Sequence, residues 1–303
     1  MILRGFWKPW FVYRPSQLLR RVFPPSLDRS SSYPAIETAW GLPIHAHPSR
    51  AIGRSILTTG VFDLAVSEVL VRLIDGRRRP GSAVVDAGAN VGYMTVLMAL
   101  AAGSRGRVLS FEPHPDLFAV LRQNVAEATD RAAMAQVELH NVALGDRHGF
   151  ADLLLTPEFA SNDGTARVVS DASTGPGHHT IKVPICTLDD VLGNDRVQVL
   201  KLDVEGFETQ VLAGARRALS ERRITHIVFE EHDVGRSETA CVLRARGYQL
   251  FALGWTFRCL RLVPIDAPSP TRGYEAPSFV ATLEPDDVLS RCRPGGWRTL
   301  GRL

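Results

Sequence analysis

The sequence predicts an α/β protein built on a doubly wound, mostly parallel sheet with helices on both faces. Three observations carry that prediction. Short β-rich runs alternate with helical stretches over most of the chain. A glycine-rich turn joins one strand directly to the next helix. The 303 residues, 45% of them hydrophobic and 22% charged, suit one α/β domain with extensions.

The elements follow in order. From Val61 to Ile74 the apolar residues recur at three- and four-residue intervals, an amphipathic helix ended by Arg77-Arg78-Arg79-Pro80-Gly81. Strands are expected at 83–85, 107–111, 137–142, 197–202, 224–229, 248–253 and 278–283, and helices at 91–102, 115–128, 207–219 and 237–246. The last strand follows without a clearly periodic helix, so a hairpin entry and an antiparallel course are expected. Between Asp146 and Cys186 the alternation fails. Turn-rich Ser161-Asn162-Asp163-Gly164 and Ser173-Thr174-Gly175-Pro176-Gly177 mark a substrate-facing insertion there.

Residues 1–54 stand apart. They hold eight basic side chains against two acidic ones, although the whole chain carries only +3. Pro24-Pro25, Pro34, Pro43 and Pro48 suggest irregular chain, and the domain boundary is placed after residue 54. The start interleaves Phe6, Trp7, Trp10, Phe11 and Tyr13 with Arg and Lys. It lacks an apolar run long enough for a secretory signal, and the chain has no segment of membrane-spanning character. Packing of this arm on its own domain or on a second copy in a homodimer is the preferred reading, and contact with a membrane face is the alternative. Cys186, Cys241, Cys259 and Cys292 lie 55, 18 and 33 positions apart, which matches neither zinc ribbons nor a disulfide framework and suggests a reduced, cytoplasmic protein.

In such sheets ligands bind beyond the carboxyl ends of the strands. At the first end, Gly88 allows a tight turn and Gly92 close packing of the helix, while Asp86 suits a cofactor with a cationic amino-acid portion. Asn90 stands where a dinucleotide fingerprint needs its second glycine, so a nicotinamide dehydrogenase is disfavoured. Glu112 ends the second strand, where one carboxylate accepts from both hydroxyls of a ribose. Asn141, Val142 and Ala143 end the third and suit an adenine's flank. At the fourth, Lys201 and Asp203 share a face, and Asp203 and Glu205 are placed to orient a hydroxyl or accept its proton. Glu208 is read as favouring its helix's N-terminus. The fifth ends in Phe229-Glu230-Glu231-His232, where His232 is a further candidate base. The acidic side chains and His232 are ligand types, but no metal is expected.

The segments VVDAGANVGYMTV, FEPHP, NVALGD, TLDDVL and above all KLDVEGFETQVLAGA resemble, in order over roughly Gly60 to Leu283, the FkbM family of S-adenosylmethionine-dependent methyltransferases. The resemblance implies a class I methyltransferase fold, Rossmann-like, with seven strands, the last antiparallel, and S-adenosylmethionine lying across the strand ends. It implies O-methylation of a hydroxyl on a sugar, glycan or secondary metabolite. By motif, Asp86, Gly88 and Asn90 face the methionine part, Glu112 the ribose, Asn141, Val142 and Ala143 the adenine, and Asp203 with Glu205 the transferred methyl. The Asn/Asp-Pro-Pro-aromatic stretch of amino-group methylases is replaced by Asp203-Val204-Glu205-Gly206. Two alternatives remain: an RNA methyltransferase tracking phosphates with its basic head, though the head contains no recognised RNA module, and a cofactor-binding scaffold in glycan assembly.

Overall fold

The computed structural model describes residues 33–74, 81–156, 159, 166–169, 179–231, 237–265, 278–293, 295–301 and 303. The aromatic arm, both turn-rich runs of the insertion and His232 lie outside the described residues.

Strands β1 (Ala35–Glu37) and β2 (Pro43–His45) pair antiparallel, and helix α1 (Ala51–Thr59) follows. A boundary after residue 54 therefore cuts a helix. Trp40 and Ile44 are buried in the main core. The Asn124 side chain accepts from the His45 N–H at 2.7 Å and donates to the His45 carbonyl at 3.0 Å, so the hairpin is tied to the body. Pro43 stands at the first residue of its strand, a position where its missing N–H is tolerated. Helix α2 (Leu64–Leu73) starts later than its apolar period suggests, because Asp63 adopts φ 35° and caps it by accepting from the Val66 N–H.

Strands β3 (Ala83–Ala87), β4 (Arg107–Phe111) and β5 (Gln136–His140) run parallel and alternate with α3 (Tyr93–Ala102) and α4 (Pro115–Arg131). The chain then leaves the sheet. Strands β6 (Ala143–Leu144), β7 (Gly149–Leu155), β8 (Arg167–Val169) and β9 (His179–Cys186) build a second sheet in the order β6-β9-β7-β8. The insertion is thus more regular than expected: Ala151 and Leu153 alternate inward onto Val183, Ile185 and Phe207, while Phe150 points to solvent.

Helix α5 (Leu188–Leu192) leads back to β10 (Val197–Leu202), α6 (Glu208–Gly214), α7 (Arg216–Ser220), β11 (Ile224–Glu230), α8 (Glu238–Ala245) and β12 (Gln249–Trp255). The single helix expected at 207–219 is divided at Ala215. Strand β13 (Leu260–Pro264), which the sequence pattern does not reveal, β14 (Ser278–Thr282) and α9 (Pro285–Arg291) complete the described fold. The main sheet has the order β13-β12-β14-β11-β10-β3-β4-β5. The seven expected strands are present, with β14 antiparallel between β11 and β12, and β13 adds an eighth at the edge.

Alternation along the strands sends side chains to two cores. Val84, Val108 and Val199 face α2, α3 and α4, with Leu117, Leu121 and Val125 of α4 at helical spacing. Val85, Leu109 and Leu200 face the layer of α5 to α8. The five strands that pair parallel, β11, β10, β3, β4 and β5, deliver their carboxyl ends to one edge, so the order reversal between β3 and β10 opens a crevice there.

Candidate active site

A cavity of about 230 Å³ occupies that crevice. Its floor is the β3–α3 turn (Gly88, Ala89, Asn90), the end of β4 (Phe111, Glu112, Pro113) and the exit of β10 from Lys201 to Phe207. The second sheet contributes Leu153 and Val168 from above, and Ala51, Ile52 and Phe62 close one side.

The turn follows from its residues. Gly88 has φ +81°, and a Cβ built there would lie 1.8 Å from the Asp203 carbonyl oxygen, so only glycine lets the β3 turn and the β10 exit come this close. Asn90 adopts φ 52°, its side chain accepts from the Val91 N–H, and its own N–H reaches the Glu112 carboxylate at 2.8 Å. Among the described residues four without glycine's freedom have positive φ, and two of them, Asn90 and Glu205, line this cavity. Strained backbone concentrated at a crevice marks a functional site.

Glu112 is almost fully buried, and each of its oxygens accepts one backbone N–H at 2.8 Å, from Asn90 and from His114. Burial outweighs these bonds and raises its pKa to about 7, with Asp86 adding to the rise. Each oxygen retains a lone pair for a ligand hydroxyl. Asn141 donates to the carbonyls of Glu112 and Pro113 and so fixes this strand end without lining the cavity, whereas Val142 and Ala143 do line it.

Two other candidates also stand behind the wall. Asp86 is fully buried, accepts from the Thr95 hydroxyl at 2.6 Å and lies 3.4 Å from the Lys201 ammonium. Gly92, at φ +88°, precedes α3 and packs against Leu121. Lys201 was not singled out as a site residue, yet it joins these parts. It is paired in register with Asp86, and its ammonium lies 3.1 Å from Asp203 and donates to the Gly88 carbonyl at 3.2 Å. Burial works against its charge, but Asp203 and Asp86 prevail and hold its pKa above the ordinary lysine value.

Asp203, Glu205 and Glu230 line the end of the cavity at β10 and β11, across β3 from Glu112. The turn after β10 is fixed by the Glu208 carboxylate, which accepts from the N–H groups of Val204 and Gly206, so its role is to brace the turn. Although the Glu205 side chain reaches the surface, lost hydration at the cavity mouth, followed by Asp203 and Glu208, raises its pKa to about 7. Glu230, at the end of β11, is the acidic residue that sequence reasoning left out of the site. The signal was its position at a strand end. Its pKa is pushed to about 8, first by burial and then by Asp203 and Asp63.

One end of the cavity thus presents a carboxylate ready for hydroxyls between apolar walls, and the other gathers three acidic side chains beside the Lys201 ammonium. A family model for the methyltransferase FkbM domain matches residues 86–250. The 31-O-demethyl-FK506 methyltransferase FkbM of Streptomyces tacrolimicus is 30% identical over 57% of this chain and 75% of its own length. Methyltransferase 1 of Beauveria bassiana is 30% identical over 44% and 58%, respectively. The hexuronic acid methyltransferase AglP of Haloferax volcanii is 28% identical over 56% and 64%. The chain therefore spans three quarters of the first relative and less than two thirds of the other two.

Proposed function

We infer, from the premise that this chain belongs to the FkbM methyltransferase family, that it is an S-adenosylmethionine-dependent O-methyltransferase acting on a hydroxyl of a sugar, glycan or secondary metabolite. The observation that carries the reading is the polarity of the cavity: the diol-accepting Glu112 carboxylate at one end and the Asp203, Glu205 and Glu230 carboxylates at the other. That donor set fits a nucleoside whose far end bears positive charge. When bound, S-adenosylmethionine supplies a methyl group activated on a sulfonium.

The protein's work is to hold and align. Glu112, its oxygens directed by the Asn90 and His114 N–H groups, holds the ribose hydroxyls, and Phe111, Pro113, Val142 and Ala143 offer the purine an apolar bed. Gly88 and Asn90 contact the amino-acid part through their backbone, with Asp86 acting from behind through Lys201. Asp203 and Glu205 orient the acceptor against the methyl, and Leu153 and Val168 exclude water from above. One relative is named for a 31-O-demethyl acceptor and another for a hexuronic acid, which supports oxygen as the acceptor atom. Among the described residues no helix is long and apolar enough to cross a membrane. The reading keeps the protein cytoplasmic, with residues 1–32 as its candidate contact to a membrane face or a second copy.

Isothermal titration with S-adenosylhomocysteine beside NAD tests the reading. Micromolar binding of the former alone is expected, and no binding would favour a scaffold. Asp203→Asn should bind S-adenosylhomocysteine within about threefold of wild type yet lose about 100-fold in transfer. Full activity in that variant would remove Asp203 from the reacting end.

A further inference from the structure

Four carboxylates line the cavity among the described residues, and three already have a task or an unsuitable place. Glu112 is engaged by two backbone N–H groups at the ribose end. Asp203 is committed to the Lys201 ammonium. Glu205 rides at the exposed rim on a left-handed turn. Glu230 differs from all three. Strand pairing sets Phe229 opposite Leu202, so Glu230 emerges beside Asp203. Its side chain lines the cavity below the rim, and among the described residues no hydrogen bond reaches its carboxylate.

We propose that Glu230 is the general base of the transfer. It takes the acceptor's hydroxyl proton as the acceptor oxygen forms its bond to the methyl carbon, while the carbon–sulfur bond breaks and its electron pair stays on sulfur. This rests on the O-methyltransferase reading above. The surroundings suit the role. Asp63 at the N-cap of α2, Asp203 from β10 and Glu205 from the following turn all raise the proton affinity of Glu230, and Lys201 opposes them. A carboxylate so placed keeps a high proton affinity near neutral pH, as a base for an alcohol requires. The same surroundings make it sensitive to a cation arriving at this end of the cavity.

That sensitivity supplies a test that needs no acceptor. S-adenosylmethionine and S-adenosylhomocysteine differ by the methyl and its positive charge. Titrating the full chain with each at pH 7.5, in two buffers of different ionisation enthalpy, gives the protons released on binding. A drop of one pKa unit at Glu230 predicts roughly half a proton more for S-adenosylmethionine. In Glu230→Gln the excess should fall to about a fifth of that or less, with S-adenosylhomocysteine affinity changed less than about threefold; Glu205→Gln should retain most of it. Equal release by both ligands in the wild type, or an undiminished excess in Glu230→Gln, overturns the assignment and leaves the methyl-donor reading intact. Failure of both ligands to bind the wild type overturns that reading itself. In turnover on any hydroxyl acceptor the wild type methylates, Glu230→Gln should lose about 100-fold in kcat together with the acid limb of the pH profile. Retained kcat would dismiss Glu230 as the base.

Discussion

Gly88 and Gly81 share the same backbone angle, φ +81°, but not the same surroundings. Among the described residues a Cβ at Gly81 meets nothing within 4 Å, whereas at Gly88 it meets the Asp203 carbonyl oxygen at 1.8 Å and its carbon at 2.9 Å. Alanine at either site bears the left-handed strain, about 1–2 kcal/mol. At Gly88 the contact must also open from 1.8 Å to at least 3.0 Å, and both partners are backbone. The movement pulls on the Asp203 N–H bond to Ala87 at 3.2 Å and on the Lys201 bond to the Gly88 carbonyl. Forcing close-packed parts apart adds about 1–3 kcal/mol. Gly88→Ala should therefore unfold about 2–5 kcal/mol more easily than wild type, and Gly81→Ala by no more than about 2. Because the displaced atoms carry both ends of the proposed site, S-adenosylhomocysteine affinity should fall about 100-fold in Gly88→Ala and stay within about twofold in Gly81→Ala. Urea denaturation and calorimetric titration of the two variants measure both quantities. Wild-type affinity in Gly88→Ala, or equal destabilisation of the pair, would refute the argument that close approach dictates this glycine.

Two further expectations concern charge. The folded pKa of Glu112 is raised to about 7, so the folded state keeps its proton while the unfolded chain releases it above about 4.5. Stability from this group is thus complete below about 4.5 and is lost as pH rises to 7, by at most about 3 kcal/mol. Affinity for S-adenosylhomocysteine should run the other way, weakening below pH 7 as the proposed ribose acceptor Glu112 becomes protonated. Glu112→Gln should flatten both trends in melting and titration series across pH 5–8, and unchanged slopes would rule Glu112 out as their source. Lys201→Met leaves Asp86 and Asp203 without their shared cation and should destabilise the protein by about 3–5 kcal/mol; a urea midpoint equal to wild type would contradict the network.

The parallel strands were legible because each joins an apolar run to a turn whose chemistry is local. Strand β13 was not, since Arg261 and Pro264 interrupt its apolar residues and an edge strand tolerates both. The segment 33–54 read as irregular chain because its prolines are local, whereas what holds it is distant: Trp40 donates to the Tyr93 hydroxyl, and Asn124 reaches His45 across 79 residues. At the site, strand-end position alone revealed Glu112, Asp203 and Glu205. It could not separate Asp86, whose register with Lys201 turns it into the interior, from residues that open onto the cavity. Glu230 was visible as an acid at a strand end, but the Asp203 and Asp63 charges around it come from β10 and α2, which meet it only in three dimensions.

The hairpin and helix ahead of the sheet also bear on how such proteins can be recombined. Residues 86–250 carry the shared pattern, but Ala51, Ile52 and Phe62, which close one side of the cavity, precede it. A chimera that exchanges only the shared stretch inherits the β3–α3 turn and the acidic strand ends but keeps a side wall that belongs to the other protein. Residues 33–62 are therefore the piece to move with the shared stretch when selectivity is to travel between relatives, and Asn124 and Tyr93 are the sockets that must travel with it.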